Sequence, residues 1–281
     1  MSEGIANFLN LLDLETIEVN IFRGENLGGR ARVFGGQVAA QALIAAGRTV
    51  DQGRVHSLHA YFLRPGDPNI PILYEVDRIR DGRSFITRRV VAIQRGKAIF
   101  NAACSFHVDE PGLMHQNTIT GIPAPDALPI LEIPDGRRYG QALSYLENNG
   151  FDIRFVGEVP WRAQPGSIER EQLWFRTTEP LSDEPLLHAA IMTFVSDLTL
   201  VSTILLRHSL SLFDTEFFGA SLDHCMWFHR PLRVDDWVFY DLNSPVAYGA
   251  RGLSHGSLYA KNGDLLASVA QEGLVRINET S

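Results

Sequence analysis

Residues 188–206, HAAIMTFVSDLTLVSTILL, are the most hydrophobic stretch of the chain and carry one acid near their centre, Asp197. A helix that is apolar on every side lies inside a membrane or inside a protein core. The stretch only just reaches the span length of about 20 residues, and a central acid costs about 2.5–3.5 kcal/mol in insertion assays. We therefore predict no membrane span but one long helix, from about residue 184 to 206, enclosed by a sheet. A carboxylate buried in this way needs hydrogen-bond partners, or else it binds a proton.

The order of elements around this helix occurs twice in the chain. In the first half, the patterns predict helices over 5–15 and 37–48 and strands over 16–22, 55–64, 72–80, 84–95 and 98–108. In the second half, they predict strands near 151–156 and 171–177 before the long helix, and strands over 220–230, 236–244, 249–260 and 265–277 after it. Prolines and short apolar runs between the halves indicate a connector with one possible helix.

The repeat is visible in single residues as well as in the pattern. Tyr61–Pro65, YFLRP, matches Trp227–Pro231, WFHRP, and Gly96 matches Gly263. Such a repeat indicates one structural unit used twice. A curled antiparallel sheet around a helix buries the whole circumference of that helix, so we predict an α+β double hot-dog fold. In this fold two antiparallel sheets, each wrapped around a long buried helix, lie edge to edge. The predicted division is repeat 1 over 1–110, a connector over 111–150 and repeat 2 over 151–281.

Composition and charge exclude several classes of protein. The net charge of −8 and the short basic clusters argue against a nucleic-acid-binding surface. Cys104 and Cys225 lie far apart and form neither a CxxC motif nor a metal-ligand spacing, so we expect reduced thiols, no metal and no cofactor. The first residues do not resemble a secretory signal, and the last do not match a peroxisomal or retention signal. We therefore expect a cytoplasmic protein.

Four short motifs carry a resemblance to a known family. They are RVFGGQ at 32–37, SLHAYF at 57–62, SLDHCMWFHRP at 221–231 and SVAQEG at 268–273. Together they resemble the signature of the type II acyl-CoA thioesterases, over about residues 15–277. The resemblance implies a double hot-dog fold, hydrolysis of fatty acyl-CoA thioesters to free acid and coenzyme A, and assembly as a homodimer or homotetramer.

The resemblance also implies a set of catalytic residues. In this family an Asp, a Thr or Ser hydroxyl and a Gln amide hold the attacking water, and these fall here on Asp197, Ser221 and Gln271. Ser221 is a departure, because some relatives have Thr at this position. The hydroxyl is kept and the methyl group is lost, so we expect the same role with a slightly looser geometry.

The chemistry of these residue types is consistent with that assignment. Burial raises the pKa of a carboxyl such as Asp197 towards the range of a general base. The amide of Gln271 donates and accepts at once, and Ser221 adds a further hydroxyl. A thioester carbonyl is already reactive, so a positioned water and a base suffice without a covalent nucleophile.

Substrate contacts are predicted at the other end of the sequence. Backbone N–H groups at a helix N-terminus stabilise an oxyanion, and Gly35 and Gly36 lie where the first buried helix begins. His59 and Tyr61 are further predicted substrate-binding residues, with His59 expected to line the acyl or pantetheine channel. We interpret His224 and His229 as packed, hydrogen-bonded strand residues.

The repeat predicts one active constellation in each chain. Sequence matching places Gln37, Val55 and Cys104 of the first half opposite the acid, hydroxyl and amide of the second half. Because this set contains no acid and no hydroxyl, we expect the first-half position to be degenerate.

Other functions remain open at this point. A hot-dog enoyl-CoA hydratase or dehydratase would need a histidine paired with its acid, and no histidine follows Asp197 within the helix. A non-catalytic acyl-CoA-binding module would keep the fold and leave the trio incidental. Residues 252–256, GLSHG, fit the G-x-S-x-G nucleophile elbow, but alternating strand residues follow the motif and no histidine lies beyond His255.

Overall fold

The computed structural model describes residues 2–27, 31–130, 145–159, 167–208 and 217–277. Its helices are α1 (Glu3–Leu12), α2 (Gly35–Gly47), α3 (Pro185–Ser196) and α4 (Leu200–Leu205). The strands of the first repeat are β1 (Glu15–Glu18), β2 (Ile21–Gly24), β3 (Arg54–Phe62), β4 (Ile72–Asp81), β5 (Phe85–Gln94) and β6 (Lys97–His107). The strands of the second repeat are β7 (Phe151–Phe155), β8 (Arg170–Thr177), β9 (Phe217–Ser221), β10 (Asp223–Phe228), β11 (Val238–Tyr248), β12 (Arg251–Ala260) and β13 (Leu265–Ile277). Of the predicted connector over 111–150, for which the sequence allows one helix, residues 131–144 lie outside the described residues.

The two repeats share one continuous antiparallel sheet. Its 13 strands run in the order β1-β2-β4-β5-β6-β3-β10-β13-β12-β11-β8-β7, and β9 pairs with β13. The repeats join where β3 pairs with β10, with Leu58 opposite Met226. The predicted edge-to-edge double hot-dog is therefore confirmed, and hydrogen bonds across the β3–β10 edge merge the two predicted sheets into one.

The buried helices α2 and α3 pack against each other in opposite directions. Every residue of α2 from Gly36 to Ala46 is buried, because its small side chains let sheet and helix approach on all sides. Near the start of α2, a Cβ on Gly36 would lie 2.5 Å from the carbonyl oxygen of Phe194. At the end of α2, a Cβ on Gly47 would lie 2.4 Å from the side chain of Leu186. Each helix therefore begins where the other ends.

The N-terminal helix belongs to the packing of the second repeat. The ring of Phe8 lies 5.0 Å from the rings of Phe151 and Phe194, in edge-to-face geometry with both. The first and second repeats consequently bury their apolar residues in one shared core.

The prediction of one unbroken helix over 184–206 is wrong at its centre. Helix α3 ends at Ser196, α4 begins at Leu200, and Asp197 adopts φ −81° and ψ −5° as the residue that follows α3. Ser, Thr and Asp side chains compete with the helical backbone for hydrogen bonds, and all three types occur between residues 196 and 199. Among the described residues, Pro185–Leu205 is the one helical stretch long and apolar enough for a membrane span. Of its most apolar 18 residues, 83% are buried inside the protein.

Two predicted strands are also divided in the structure. Residues 16–22 form the β1–β2 hairpin, which turns at Val19 and Asn20. Residues 220–230 contain the end of β9 and all of β10, with Leu222 between them. The second division has a functional consequence, because it sets the direction of Ser221.

Candidate active site

Three elements converge beside the point where α3 ends. Asp197 follows α3, Ser221 is the last residue of β9, and Gln271 lies in β13. Strand β13 pairs first with Ser221 at Gly273 and then with Cys225 at Ala270, so the register shifts by one residue between them. Such a bulge re-aims a side chain, and here it directs the Ser221 hydroxyl to the inner face of the sheet.

The three predicted catalytic residues form one hydrogen-bonded chain. The Ser221 hydroxyl donates to Oδ1 of Asp197 over 3.2 Å. The amide nitrogen Nε2 of Gln271 donates to Oγ of Ser221 over 3.0 Å. Asp197 is 6% exposed and Gln271 1%, and Ser221 between them is half-buried.

The position of Asp197 explains its electrostatics. Desolvation raises the pKa of its carboxyl above the ordinary value, against opposing effects of His224, Gln271, Ser221 and the backbone N–H of Gly36. The carboxylate follows the negative end of the α3 dipole but faces the positive end of α2, where Gly36 donates. A carboxylate with a raised pKa is a stronger base than an exposed one, and its partners hold it in a fixed orientation.

The glycine pair at the start of α2 is required by close approach. A Cβ on Gly35 would lie 2.7 Å from Oδ2 of Asp197 and 2.8 Å from the ring of Phe62. Gly36 faces the backbone of Phe194, as described above. Both predicted glycines therefore adjoin the cluster, and in this structure the N–H of Gly36 is directed at Asp197 rather than at an empty oxyanion site.

A histidine extends the chain beyond the predicted trio. His224, in β10, is fully buried, and its Nδ1 lies 2.5 Å from Oε1 of Gln271. On the other side of the ring, Nε2 lies 3.0 Å from Oγ of Ser196. The interpretation of His224 as a packed, hydrogen-bonded residue is confirmed, but the sequence analysis missed that its partner is Gln271. His229 bonds to Ser268 and lies outside the cluster.

The remaining predicted substrate residues lie on the other face of the sheet. Leu58 and Ala60 face the core, so their strand neighbours His59 and Tyr61 point outwards. The ring of His59 contacts Trp227 at a centroid distance of 5.1 Å, and Tyr61 is 61% exposed. The structure does not bring these two side chains to Asp197, and their role in substrate binding stays a prediction.

The opposite end of the helix pair carries the counterpart of the cluster. The β3–β6 register shifts between Val55 and Ser57, as the register of β13 shifts after Ser221, so Val55 is the counterpart of Ser221. Leu58 pairs with Cys104 where the second repeat has His224 beside Gln271. A cavity of about 310 Å³ opens at this end, lined in part by Val55, Leu186 and Phe228.

The predicted match between Gln37 and Asp197 is wrong. Gln37 is the third residue of α2, whereas Asp197 follows the last residue of α3. The counterpart of Asp197 is Arg48, which follows the last residue of α2. The Gln37 amide instead donates to Asn26 and to the carbonyl of Glu25. The described residues contain no group of three or more His, Cys, Asp or Glu side chains that could hold a metal ion.

Comparisons with known proteins agree with the repeat. An acyl-CoA thioesterase family model matches residues 151–274, and a model for the acyl-CoA thioesterase N-terminal domain matches residues 25–107. Acyl-coenzyme A thioesterase 8 of Mus musculus is 38% identical over 95% of this chain and 88% of its own length. The chain belongs to the acyl-CoA thioesterase family.

Further relatives extend the match to the whole length and to the fold. Acyl-CoA thioesterase 2 of Haemophilus influenzae is 35% identical over 99% of this chain and all of its own. The crystal structure of an acyl-CoA thioesterase II of Mycobacterium marinum superposes with a TM-score of 0.81, at 41% identity, over 97% of this chain and 99% of that one. The chain is therefore a hydrolase with the hot-dog fold, and the family expected from its motifs is confirmed.

Proposed function

We propose that this chain hydrolyses fatty acyl-CoA to free fatty acid and coenzyme A, with a water molecule activated by Asp197 and held by Ser221 and Gln271. The observation that carries the proposal is the buried chain from Gln271 through Ser221 to Asp197, at the glycine pair that begins α2. Family membership supports the substrate class, since the related proteins are named as acyl-CoA thioesterases.

The proposed reaction needs only this cluster and water. The water oxygen attacks the thioester carbonyl carbon while Asp197 takes one proton from it. The tetrahedral intermediate then collapses, the carbon–sulfur bond breaks, and the departing sulfur takes the proton back from Asp197. Ser221 and Gln271 keep the carboxylate and the water in one geometry, which lowers the entropic part of the barrier. The N–H of Gly36 bonds to Asp197, so the other N–H groups in the first turn of α2 are the proposed donors to the developing oxyanion.

The proposed function also involves the division of the chain into repeats, its assembly and its location. We propose a functional division into repeat 1 (1–110), a connector (111–150) and repeat 2 (151–281), with the catalytic cluster in repeat 2. We also propose a homodimer or homotetramer that acts in fatty acid metabolism in the cytoplasm. The unpaired thiols of Cys104 and Cys225 support a reducing compartment.

Thiol release from acyl-CoA tests the proposed activity. Wild-type protein should release one free thiol and one fatty acid for each acyl-CoA consumed, over a series of short, medium and long acyl chains. Gln271→Ala should lower kcat by about 10²-fold, because the water and Asp197 both lose an orienting partner.

Two other outcomes would identify the alternative functions. Hydration of an enoyl-CoA without thiol release would establish a hydratase instead. Acyl-CoA binding without any turnover would establish a binding module, and either result would overturn the proposal.

A further inference from the structure

We infer that His224 is a positioning residue. It fixes the orientation of the Gln271 amide and so sets the direction of the hydrogen bonds that run from Gln271 through Ser221 to Asp197. The inference rests on the proposed function, because it assigns a role within the same site. His224 is fully buried and contacts Oε1 of Gln271, so it acts through Gln271 rather than on substrate.

The direction of the chain follows from what each atom can donate. Oε1 of Gln271 can only accept, so the Nδ1 atom of His224, 2.5 Å away, carries a hydrogen. With Oε1 held on the histidine side, Nε2 of Gln271 faces Ser221 and donates to Oγ. A serine hydroxyl has one hydrogen, and in this arrangement it is free to bond Oδ1 of Asp197.

A flipped amide would reverse this arrangement. If the Gln271 amide turned by half a rotation, its oxygen would face Ser221 and would compete with Asp197 for the serine hydrogen. Asp197 would lose a donated hydrogen bond, and the polar chain would no longer end at the carboxylate. The Nδ1 hydrogen of His224 prevents the flip, because an amide nitrogen in place of Oε1 would leave two donors facing each other.

The other side of the ring fastens the chain to the base itself. Nε2 of His224 pairs with Oγ of Ser196, the residue immediately before Asp197. The backbone carbonyl of Ser196 also accepts a hydrogen bond from the Tyr240 hydroxyl, at 2.9 Å. His224 therefore connects the amide end of the chain to the end of α3 that carries the carboxylate.

The first repeat indicates that folding does not require an imidazole here. Leu58 occupies the position of His224 and pairs with Cys104, the counterpart of Gln271, and both are fully buried. At this position the first repeat therefore has an apolar pair of side chains, and the second repeat has a hydrogen-bonded polar pair. A buried polar network of this kind is costly unless every member is satisfied, which points to a role in the site.

His224→Leu and His224→Asn provide a matched test. Leucine reproduces the first-repeat residue and removes the Nδ1 donor, whereas the asparagine amide places a donor near the same point. We expect His224→Leu to lower kcat and kcat/KM together by about 10- to 100-fold with KM within twofold, because a misplaced group costs transition-state stabilisation. His224→Asn should recover most of that loss.

The pH profile gives a readout that a purely structural residue would not move. His224 lowers the pKa of Asp197, so its loss should shift the acidic limb of kcat/KM to higher pH. Tyr240 also faces Asp197, but burial holds the pKa of its hydroxyl well above the ordinary value, so it stays neutral through the assay. Met226→Leu is the control, because Met226 is another fully buried β10 side chain that contacts Ser196. It should leave the acidic limb in place.

A double variant separates action through Gln271 from action by another route. In a Gln271→Ala background, His224→Leu should lower kcat by much less than it does in the wild-type background, because only the contact with Ser196 is then left to lose. A His224→Leu enzyme with wild-type kcat and pH profile, or an equal loss with and without Gln271, would overturn the inference. Failure of the proposed function would look different, because the wild-type protein itself would then release no thiol.

Discussion

The two ends of the α2–α3 pair use the same architecture with opposite chemistry. At one end α2 begins with Gly35, and its N-terminus meets the carboxylate of Asp197. At the other end α3 begins with Pro185, and Leu186 fills the space beside Gly47. The duplicated fold thus provides two equivalent places, and the side chains at a few equivalent positions decide which of them holds a buried carboxylate.

The same contrast extends into the sheet. The end that carries Asp197 holds Ser221, His224 and Gln271 in one hydrogen-bonded chain. The other end replaces them with Val55, Leu58 and Cys104, and burial raises the pKa of the Cys104 thiol to about 12. A thiol with this pKa stays protonated at neutral pH and behaves as a small apolar side chain.

Substitution of the glycines at the two ends of α2 should give a large difference in kcat. In Gly35→Ala, the new methyl group would displace Oδ2 of Asp197 or the ring of Phe62, and kcat should fall by about 10²-fold. In Gly47→Ala, the methyl group meets only the flexible end of Leu186, so kcat should not change. Thiol-release kinetics on both variants, with circular dichroism as a check on folding, measure the difference. Equal kcat values in the two variants would contradict the proposed difference between the two ends of α2.

Exchanging the counterpart residues Ser221 and Val55 between the two ends of the helix pair should give the next largest effect on kcat. Ser221→Val removes a hydrogen bond to a charged group, worth about 1.5–3 kcal/mol, so kcat should fall by about 10- to 150-fold. Val55→Ser buries a hydroxyl in an apolar end and should lower the free energy of unfolding by about 1–3 kcal/mol while kcat stays constant. Denaturant titration and thiol-release kinetics separate the two results. A large loss of kcat in Val55→Ser would show that both ends contribute to turnover.

The pH dependence of stability gives the smallest effect. Because folding raises the pKa of Asp197, the ionised carboxylate destabilises the native state at neutral pH. Asp197→Asn should therefore unfold at higher denaturant concentration than the wild type at pH 7. The difference in denaturant midpoint between the two proteins should decrease as pH falls through the raised pKa of Asp197. It should disappear below about 3.8, where Asp197 is protonated in both the folded and the unfolded state. A difference in denaturant midpoint that is constant between pH 7 and pH 3 would contradict a raised pKa for Asp197.

Much of the architecture could be predicted from the sequence because it rests on local patterns. Alternating strands, turn residues and the match of YFLRP with WFHRP were sufficient for the repeat and its edge-to-edge sheet. The apolar run contains Asp197 and the family motifs contain Ser221 and Gln271, and the fold brings these residues into one hydrogen-bonded chain.

The remaining features depend on contacts between distant segments. The run contains no Gly or Pro, and the competition of Ser196, Asp197 and Thr199 for backbone hydrogen bonds is a weaker signal, so the break at Asp197 was not predicted. The helices begin 150 positions apart, at Gly35 and Pro185, whereas the match of Gln37 with Asp197 assumed a separation of 160, so that match was misplaced. The link from His224 to Gln271 joins two strands and leaves no periodic signal in either of them.

The central claim is that chemistry takes place at the end of the helix pair where Asp197 lies. The most direct test compares single-turnover thiol release by Asp197→Asn with that by Arg48→Asn, the residue that follows α2 as Asp197 follows α3. Loss of the general base should slow thiol release by about 10²- to 10⁴-fold in Asp197→Asn, while Arg48→Asn should keep the wild-type rate. An Asp197→Asn enzyme that releases thiol within threefold of the wild-type rate would contradict the account.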